Sequence, residues 1–363
     1  MKKVIVSVTN DLVTDQRVQR VCKTLHDNSY NIVLIGRIIN SEKCSINLPY
    51  KTKRFKLLFK KGFLFYACFN IRLFFYLLFA KADVFLSNDL DTLPANYFAS
   101  RIRHKSLVYD SHELFTEVPE LINRPKIKNI WARIEKKIIP QLKNCYTVSK
   151  PIALYYKDLY NIDFAVIRNL PKKYTDYKNI AKRERLLIYQ GALNIGRGLE
   201  SLITAIQFVD NVKLIIAGQG DIEHSLYKLC KKYNLDNKIK FIGRVNPKEL
   251  QTYTKQAILG FSLEEDMGLN YRYALPNKIF DYIQAGVPIL VSALPEMGKI
   301  VETYKVGETF TGKSSVELAQ QINGIINSTD KLNLYHNNSQ KASIELNWEI
   351  ESKKILDIFN RLV

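Results

Sequence analysis

No Cys-x-x-Cys pair occurs in this chain, and its five cysteines (Cys22, Cys44, Cys68, Cys145 and Cys230) are odd in number and far apart. That spacing argues against a disulfide framework or a zinc site and favours a reducing compartment. The five histidines are scattered, without metal-ligand spacing. Glycine is missing where a dinucleotide fold would need it. The turn after the first apolar run reads VTNDLVTDQRV, and Gly218-Gln219-Gly220 lacks a third glycine, His224-Ser225 following instead. A nicotinamide-dinucleotide fingerprint needs all three. The apolar start, MKKVIVSVTND, is too short a run for a signal peptide and is read as a first buried strand. Acidic residues are absent from Lys43 to Ala82.

What is present fits two globular domains. At 363 residues, 47% apolar and 25% charged, the chain can bury two cores. Its net charge of +19 is uneven: residues 1–168 hold 28 Lys/Arg against 14 Asp/Glu, and the rest 26 against 21. The acid-free stretch contains KTKRFKLLFKKGFLFYACFNIRLFFYLLFAKA, with ten Phe/Tyr among the bases. Aromatics at an interface and Lys/Arg on phosphates would dock residues 51–80 on an anionic membrane surface. Asn70 and Arg72 interrupt any spanning helix. The plainer alternative is a core helix with a solvated basic rim. No nucleic-acid module pattern occurs, and no nucleic-acid partner is expected.

Short apolar strands alternate with amphipathic helices, the grammar of parallel α/β sheets. The first series is KVIVSV, NIVLIG, DVFLS, SLVYD, NCYTVS and FAVIR; the second is LLIYQG, VKLIIAG, IKFIG, ILGFS, PILVS and VGETF. The expected boundaries are an N-terminal domain over 1–168, a polar linker over 169–184, a C-terminal domain over 185–345 and a final helix over 346–363.

Residues 258–292, ILGFSLEEDMGLNYRYALPNKIFDYIQAGVPILVS, carry the most chemistry. Glu264, Glu265 and Asp266 follow a buried strand. Pro276-Asn277-Lys278 opens a helix, with Asp281 expected on its first turn. Free N–H groups, the positive dipole end and the Lys278 charge make an anion site. A neighbouring carboxylate suits a phosphate that carries a ribose.

This stretch resembles the donor-site signature of glycosyltransferase family 4 (glycosyl transferases group 1), retaining enzymes of the GT-B fold. In that family a carboxylate stands five residues before the glycine of a G-x-P turn, as Asp281 stands before Gly286-Val287-Pro288. The family usually has Glu there and another Glu eight residues earlier; this chain has Asp281 and Tyr273. The loop Gly191–Gly198 resembles the family's G-x-x-x-x-x-K-G segment, with Arg197 at the Lys position. Where the family often has a second base after the first glycine, this chain has Ala192, and Arg272 or Lys278 is expected to compensate. IKFIGRV resembles the family element whose backbone reads the base, which places Gly243, Arg244 and Val245 near it. Gly191, Gly218 and Gly220 would line the nucleotide site, with Asn277 at the diphosphate and Asp281 on the ribose. Glu264 or Glu265 would contact sugar hydroxyls.

Two N-terminal segments complete the reading. NDLVTDQRV starts a helix; either Arg17 takes part in the site, or the stretch is a helix start capped by Thr14 or Asp15. Tyr109-Asp110-Ser111-His112-Glu113 ends a strand, where α/β folds place ligands. Many family members carry a site histidine here, so His112 is the leading N-terminal candidate, with Glu113 orienting it or meeting the acceptor.

The resemblance implies two Rossmann-like domains whose parallel sheets face an interdomain cleft. It implies transfer of a sugar from a nucleotide-diphosphate sugar, UDP favoured over GDP, to a glycan or lipid-linked acceptor in bacterial surface glycan assembly. Retention without metal or other cofactor, at the cytoplasmic face of the membrane, belongs to the same expectation. Alternatives are a nucleotide-sugar epimerase of GT-B fold, a metal-dependent GT-A transferase using Asp89 and Asp91, and a non-catalytic basic docking module.

Overall fold

Short apolar strands, separated by amphipathic helices, bury both strand faces only in a parallel sheet covered by helices. The chain forms two such sheets. The computed structural model describes all residues except 13–14, 39–46, 119–120, 122–123, 175–179, 181–182 and 363. Cys44 and the candidate cap Thr14 lie outside the described residues. The other candidate, Asp15, is the cap: its carboxylate accepts from the Val18 N–H at 3.1 Å.

The chain divides into one unit of Met1–Asn169 with Glu351–Val363 and another of Leu170–Ile350. In the first, the strands are β1 (Lys3–Asp11), β2 (Asn31–Arg37), β3 (Lys51–Phe55), β4 (Val84–Asn88), β5 (Ser106–Ser111), β6 (Asn144–Thr147) and β7 (Ala165–Val166). Among the described residues they form one parallel sheet in the order β3-β2-β1-β4-β5-β6-β7. In the second, β8 (Leu186–Gln190), β9 (Lys213–Ala217), β10 (Ile239–Gly243), β11 (Leu259–Ser262), β12 (Ile289–Ser292) and β13 (Gly307–Phe310) run parallel in the order β10-β9-β8-β11-β12-β13. Both sheets have the doubly wound order. Strand direction of travel reverses between β1 and β4 in one and between β8 and β11 in the other, and ligands of such sheets bind outside the carboxyl ends at that point.

Three expectations change. Lys51–Phe55, read as part of a membrane-docking stretch, is an edge strand paired with β2. The helix after it runs from Gly62 to Phe79 and buries Phe65, Phe69, Leu73 and Leu77 on the sheet side, so one face of the aromatic stretch is core. It is also long and apolar enough to cross a membrane by length and composition. The described part of the supposed polar linker packs into the second unit: Leu170 and Ile180 are buried, and the Tyr174 N–H donates to Gln284 Oε1 at 2.9 Å.

Candidate functional site

In the second unit, strand β8 delivers Tyr189 and Gln190 to the switch point and β11 delivers Ser262 to Glu264. Glu264 is only 1% exposed. Its Oε2 accepts from Ser262 Oγ at 2.6 Å, and its Oε1 accepts from Lys278 Nζ at 2.8 Å and from Arg197 Nη1 at 3.4 Å. Burial alone would raise the Glu264 carboxyl; Lys278 and Arg197 outweigh that and hold it below its ordinary range. Two cations thus share one carboxylate, and positive charge is left over. The Arg197 Nε is buried and has no hydrogen-bond acceptor among the described residues.

Two tyrosines hold the cations and the loop together. The Lys278 ammonium lies 4.1 Å from the centre of the Tyr189 ring, and the Arg197 guanidinium 5.0 Å from that of Tyr271. Tyr189 donates its hydroxyl to Ala192 O at 2.9 Å, and Tyr271 to Ile195 O at 3.0 Å, which pins the loop carrying Arg197. A Cβ on Gly191 would come within 3.6 Å of Lys278 Nζ. The ammonium of Lys278, from the helix Asn277–Gln284, thus lies beside the Gly191 turn. Arg272, the alternative, is exposed and forks onto Asp266 at 2.7–3.2 Å.

Beside the cations, Gly191, Gly218, Gly243, Arg244 and Val245 line one pocket of about 370 Å³ with Ala192, Ala217, Gln219 and Leu250. Gly218 has φ +149°, and a Cβ there would lie 1.8 Å from the Gly191 carbonyl oxygen, so only glycine lets β8 and β9 end this close. Gly220 has a packing role instead, since a Cβ on it would meet Leu193 O at 2.3 Å. Asp281 lies on the second turn, not the first, because Pro276 caps the helix and Asn277 begins it. Its half-buried carboxylate accepts from Gln190 Nε2 at 2.8 Å, and Gln190 Oε1 in turn accepts from Thr254 Oγ1 at 2.9 Å. Asn277 and Glu265 are exposed.

Glu264 requires a correction. A carboxylate buried behind two cations and a serine has no edge to offer a sugar; it orients Arg197 and Lys278. Sequence reasoning missed this role, along with Tyr189, Ser262 and Tyr271. Ser262-x-Glu264 alternation at a strand end was the available signal.

In the first unit, the corresponding carboxyl ends gather Thr9, Asp89, Asp91, Asp110, His112 and Arg17. Arg17 is 4% exposed and is held by Asp110 at 2.8 and 3.0 Å and by Ile167 O at 3.1 Å. Its expected part in the site, on the acceptor side, is corrected: the fold of this unit uses its donors. His112 has Nδ1 3.1 Å from Asp89 and Nε2 3.1 Å from Asp110. Two carboxylates on two ring nitrogens demand two N–H groups, hence an imidazolium. Burial disfavours that charge, but Asp89 and Asp110 raise the imidazole well above its ordinary value. The ring that was expected to meet a ligand through a nitrogen thus has both nitrogens occupied. Asp110 is drawn down to about 2: Arg17 and His112 overcome a larger burial effect. Asp91 accepts from Thr9 Oγ1, and burial, then Asp89, raises it to about 7. Glu113 is exposed and lines an apolar pocket.

Comparison with known proteins accords with this geometry. Residues 172–342 match the family described as Glycosyl transferases group 1. An uncharacterized glycosyltransferase of Methanocaldococcus jannaschii is 25% identical over 182 residues, 48% of this chain and 45% of that protein. The alpha-monoglucosyldiacylglycerol synthase of Streptococcus pneumoniae is 21% identical over 247 residues, 66% of this chain and 50% of that one. The chain thus spans about half the length of the curated relatives it matches. Among solved structures, the sucrose-phosphate synthase of Thermosynechococcus elongatus superposes with a TM-score of 0.79 at 15% identity, covering 100% of this chain and 99% of the other. HepE of Anabaena, in complex with UDP and glucose, gives 0.75 at 15% identity, covering 99% and 100%. With two parallel sheets of one strand order, these matches establish the GT-B fold of two Rossmann-like domains. The GT-A alternative falls with that result, and its aspartates are engaged elsewhere, Asp89 by His112 and Asp91 by Thr9.

Proposed function

We propose that this protein is a metal-independent, retaining glycosyltransferase that moves a sugar from a nucleotide-diphosphate sugar to a glycan or lipid-linked acceptor. The observation that carries the reading is the surplus of positive charge on Glu264 beside the Gly191 turn. A diphosphate is the ligand class that two fixed cations and the start of the helix Asn277–Gln284 suit. HepE was crystallised with UDP, which favours UDP over GDP here. The pneumococcal relative is named for the synthesis of a glucosylated diacylglycerol, which favours a lipid-linked acceptor.

In this reading Arg197 and Lys278 hold the leaving diphosphate as the anomeric C–O bond breaks, and such preorganised charge is commonly the largest catalytic contribution. Gly218, Gly243, Arg244 and Val245 surround the base. Asp281, oriented by Gln190, accepts from the ribose, and Glu265 meets the sugar. Glu264 is ion-paired and cannot act as nucleophile. The acceptor oxygen therefore bonds to the anomeric carbon on the face the diphosphate leaves, and its proton passes to a diphosphate oxygen. The N-terminal unit binds the acceptor, with Glu113 toward it. The exposed aromatic face of the helix Gly62–Phe79 and the bases before it hold the enzyme to the inner face of the cell membrane.

A thermal-shift panel of UDP, GDP, ADP and their sugars tests the donor site. A ligand that binds only the folded protein stabilises it by about 2.7 kcal/mol at a hundred times its Kd. UDP compounds should raise the melting point most, with and without EDTA. No response to any nucleotide would overturn the donor assignment, and a strict Mn²⁺ requirement for transfer would overturn the metal-free part.

A further inference from the structure

We infer that the N-terminal unit carries a binding pocket for the hydrocarbon chain of an anionic amphiphile, the lipid portion of the acceptor in the reading above. A pocket of about 640 Å³ opens between the helix Gly62–Phe79, the helix Pro125–Ile138 and the segment after β5. Its volume is within the range of about 300–1,000 Å³ typical of small-molecule sites, which are likewise mostly apolar with a few polar groups. Tyr66, Ala67, Phe115, Leu121, Ile130 and Trp131 form its walls. Trp131 stands at the back, edge-on to Tyr66 at 5.2 Å and to Phe115 at 5.0 Å. Asn70 also lines it but is committed to the fold, donating to Tyr66 O and Asp91 O and accepting from Ala95 N.

Two features select the occupant. The wall runs out to the surface: Phe63 lines the pocket and is 69% exposed, and Ile130 does so at 43%. A chain can therefore enter from the same apolar face that the helix Gly62–Phe79 presents outward. Beside Arg124 of the lining, the chain places exposed Lys60 and Lys61 immediately before Gly62 and exposed Lys126 two residues after Arg124, which makes a basic rim. A phosphate-bearing head group complements that rim, whereas a neutral apolar peptide would leave it unmatched. Glu113, the one carboxylate among the described residues of the lining, directly follows His112 after the end of β5. It gives a hydroxyl of the head group a hydrogen-bond acceptor at the switch point of this sheet.

The test uses the full chain and a probe that needs no turnover. Trp131 and Trp348 are the only tryptophans, so a Trp348→Phe background leaves fluorescence from the pocket alone. A terminally brominated undecyl phosphate, kept below its micelle concentration, should quench Trp131 saturably, and inorganic phosphate should neither quench nor compete. Ala67→Phe, which fills the pocket, and Ile130→Asp, which puts a charge in its mouth, should each weaken binding by about tenfold or more. Phe208→Ser, 51% exposed and in the other unit, should leave it unchanged. Absent quenching, or equal quenching in both pocket variants, would overturn the inference. Binding lost in Phe79→Ser, 84% exposed, but kept in Ala67→Phe would assign the amphiphile to the outer face instead. A UDP-induced thermal shift on the same samples keeps failure of this pocket distinct from failure of the donor site.

Discussion

The same place in two sheets of the same strand order carries opposite electrostatics. At the switch point of the N-terminal sheet, the cations Arg17 and His112 are tied to buried or half-buried carboxylates: Arg17 to Asp110, and His112 to Asp89 and Asp110. At that of the C-terminal sheet, Arg197 and Lys278 share Glu264 alone. The outer surfaces show the reverse, for residues 1–168 hold most of the excess positive charge. In the reading proposed above, the site that receives a dianion keeps its cations under-neutralised inside, and the site for a less charged partner closes its charges on each other and leaves its cations outside. Topology fixes where a ligand can bind, and the local balance of charge decides which ligand.

Removing one member from each cluster separates the two. Arg17→Ala strands Asp110 without its guanidinium at 0% exposure, and breaking a buried pair this way typically costs about 3–5 kcal/mol. Denaturant unfolding followed at the N-terminal unit should register that loss, while the UDP response stays at the wild-type level. Lys278→Ala should also cost stability, because it leaves buried Glu264 on Arg197 alone, but unlike Arg17→Ala it should lower the UDP response as well. In the proposed reading it deletes a charge-assisted contact worth about 1.5–3 kcal/mol to the diphosphate, or roughly ten- to a hundred-fold in UDP affinity and turnover. Wild-type turnover in Lys278→Ala would sink the distinction between the clusters.

The pH dependence sharpens it further. Asp110, depressed from 3.8 to about 2, stabilises the fold above about pH 3.8, and that contribution is lost as pH falls toward 2. His112, raised above 6.5, contributes fully below 6.5, and its contribution is lost as pH rises through the raised value. Asp91 runs against the usual carboxylate direction: raised to about 7, it makes the folded state take up a proton, so its ionisation from 3.8 to about 7 lowers stability. Above about pH 7 only His112 of these three still titrates. The N-terminal unit should therefore lose stability there, and His112→Gln should flatten that limb. An unchanged alkaline limb in the variant would show that the imidazolium is not its source.

Much of this was legible in the chain. Most strands were readable as five- to seven-residue apolar runs, and Gly191, Gly218 and Gly243, singled out through the resemblance, do line one pocket, glycine at a strand's carboxyl end permitting close backbone approach. Lys51–Phe55 was not, since an edge strand exposes one side and Lys51, Thr52 and Lys53 face solvent there. Arg17 and Asp110 are 93 residues apart, and no local pattern announces such a pair. Glu264 shared its acidic run with Glu265 and Asp266; burial alone distinguishes the supporting carboxylate from the exposed two. The apolar pocket was hidden because Ile127, Ile130, Trp131 and Ile134 read as an ordinary core stripe.

The remaining expected effect concerns the surface half of the comparison. Lys56, Lys60 and Lys61 are exposed beside Leu58 and Phe59, both exposed as well. If the N-terminal unit keeps its cations outside in order to meet anionic lipid, each lysine contributes about 1 kcal/mol near such a surface. Replacing the three by glutamine should weaken binding to phosphatidylserine vesicles, and the difference from wild type should shrink as salt shortens the screening length. Binding to neutral vesicles should change little, because the aromatic face is untouched. Equal binding of the variant to anionic vesicles at low salt would return these lysines to a solvated rim, and the outward charge of this unit would then need another cause.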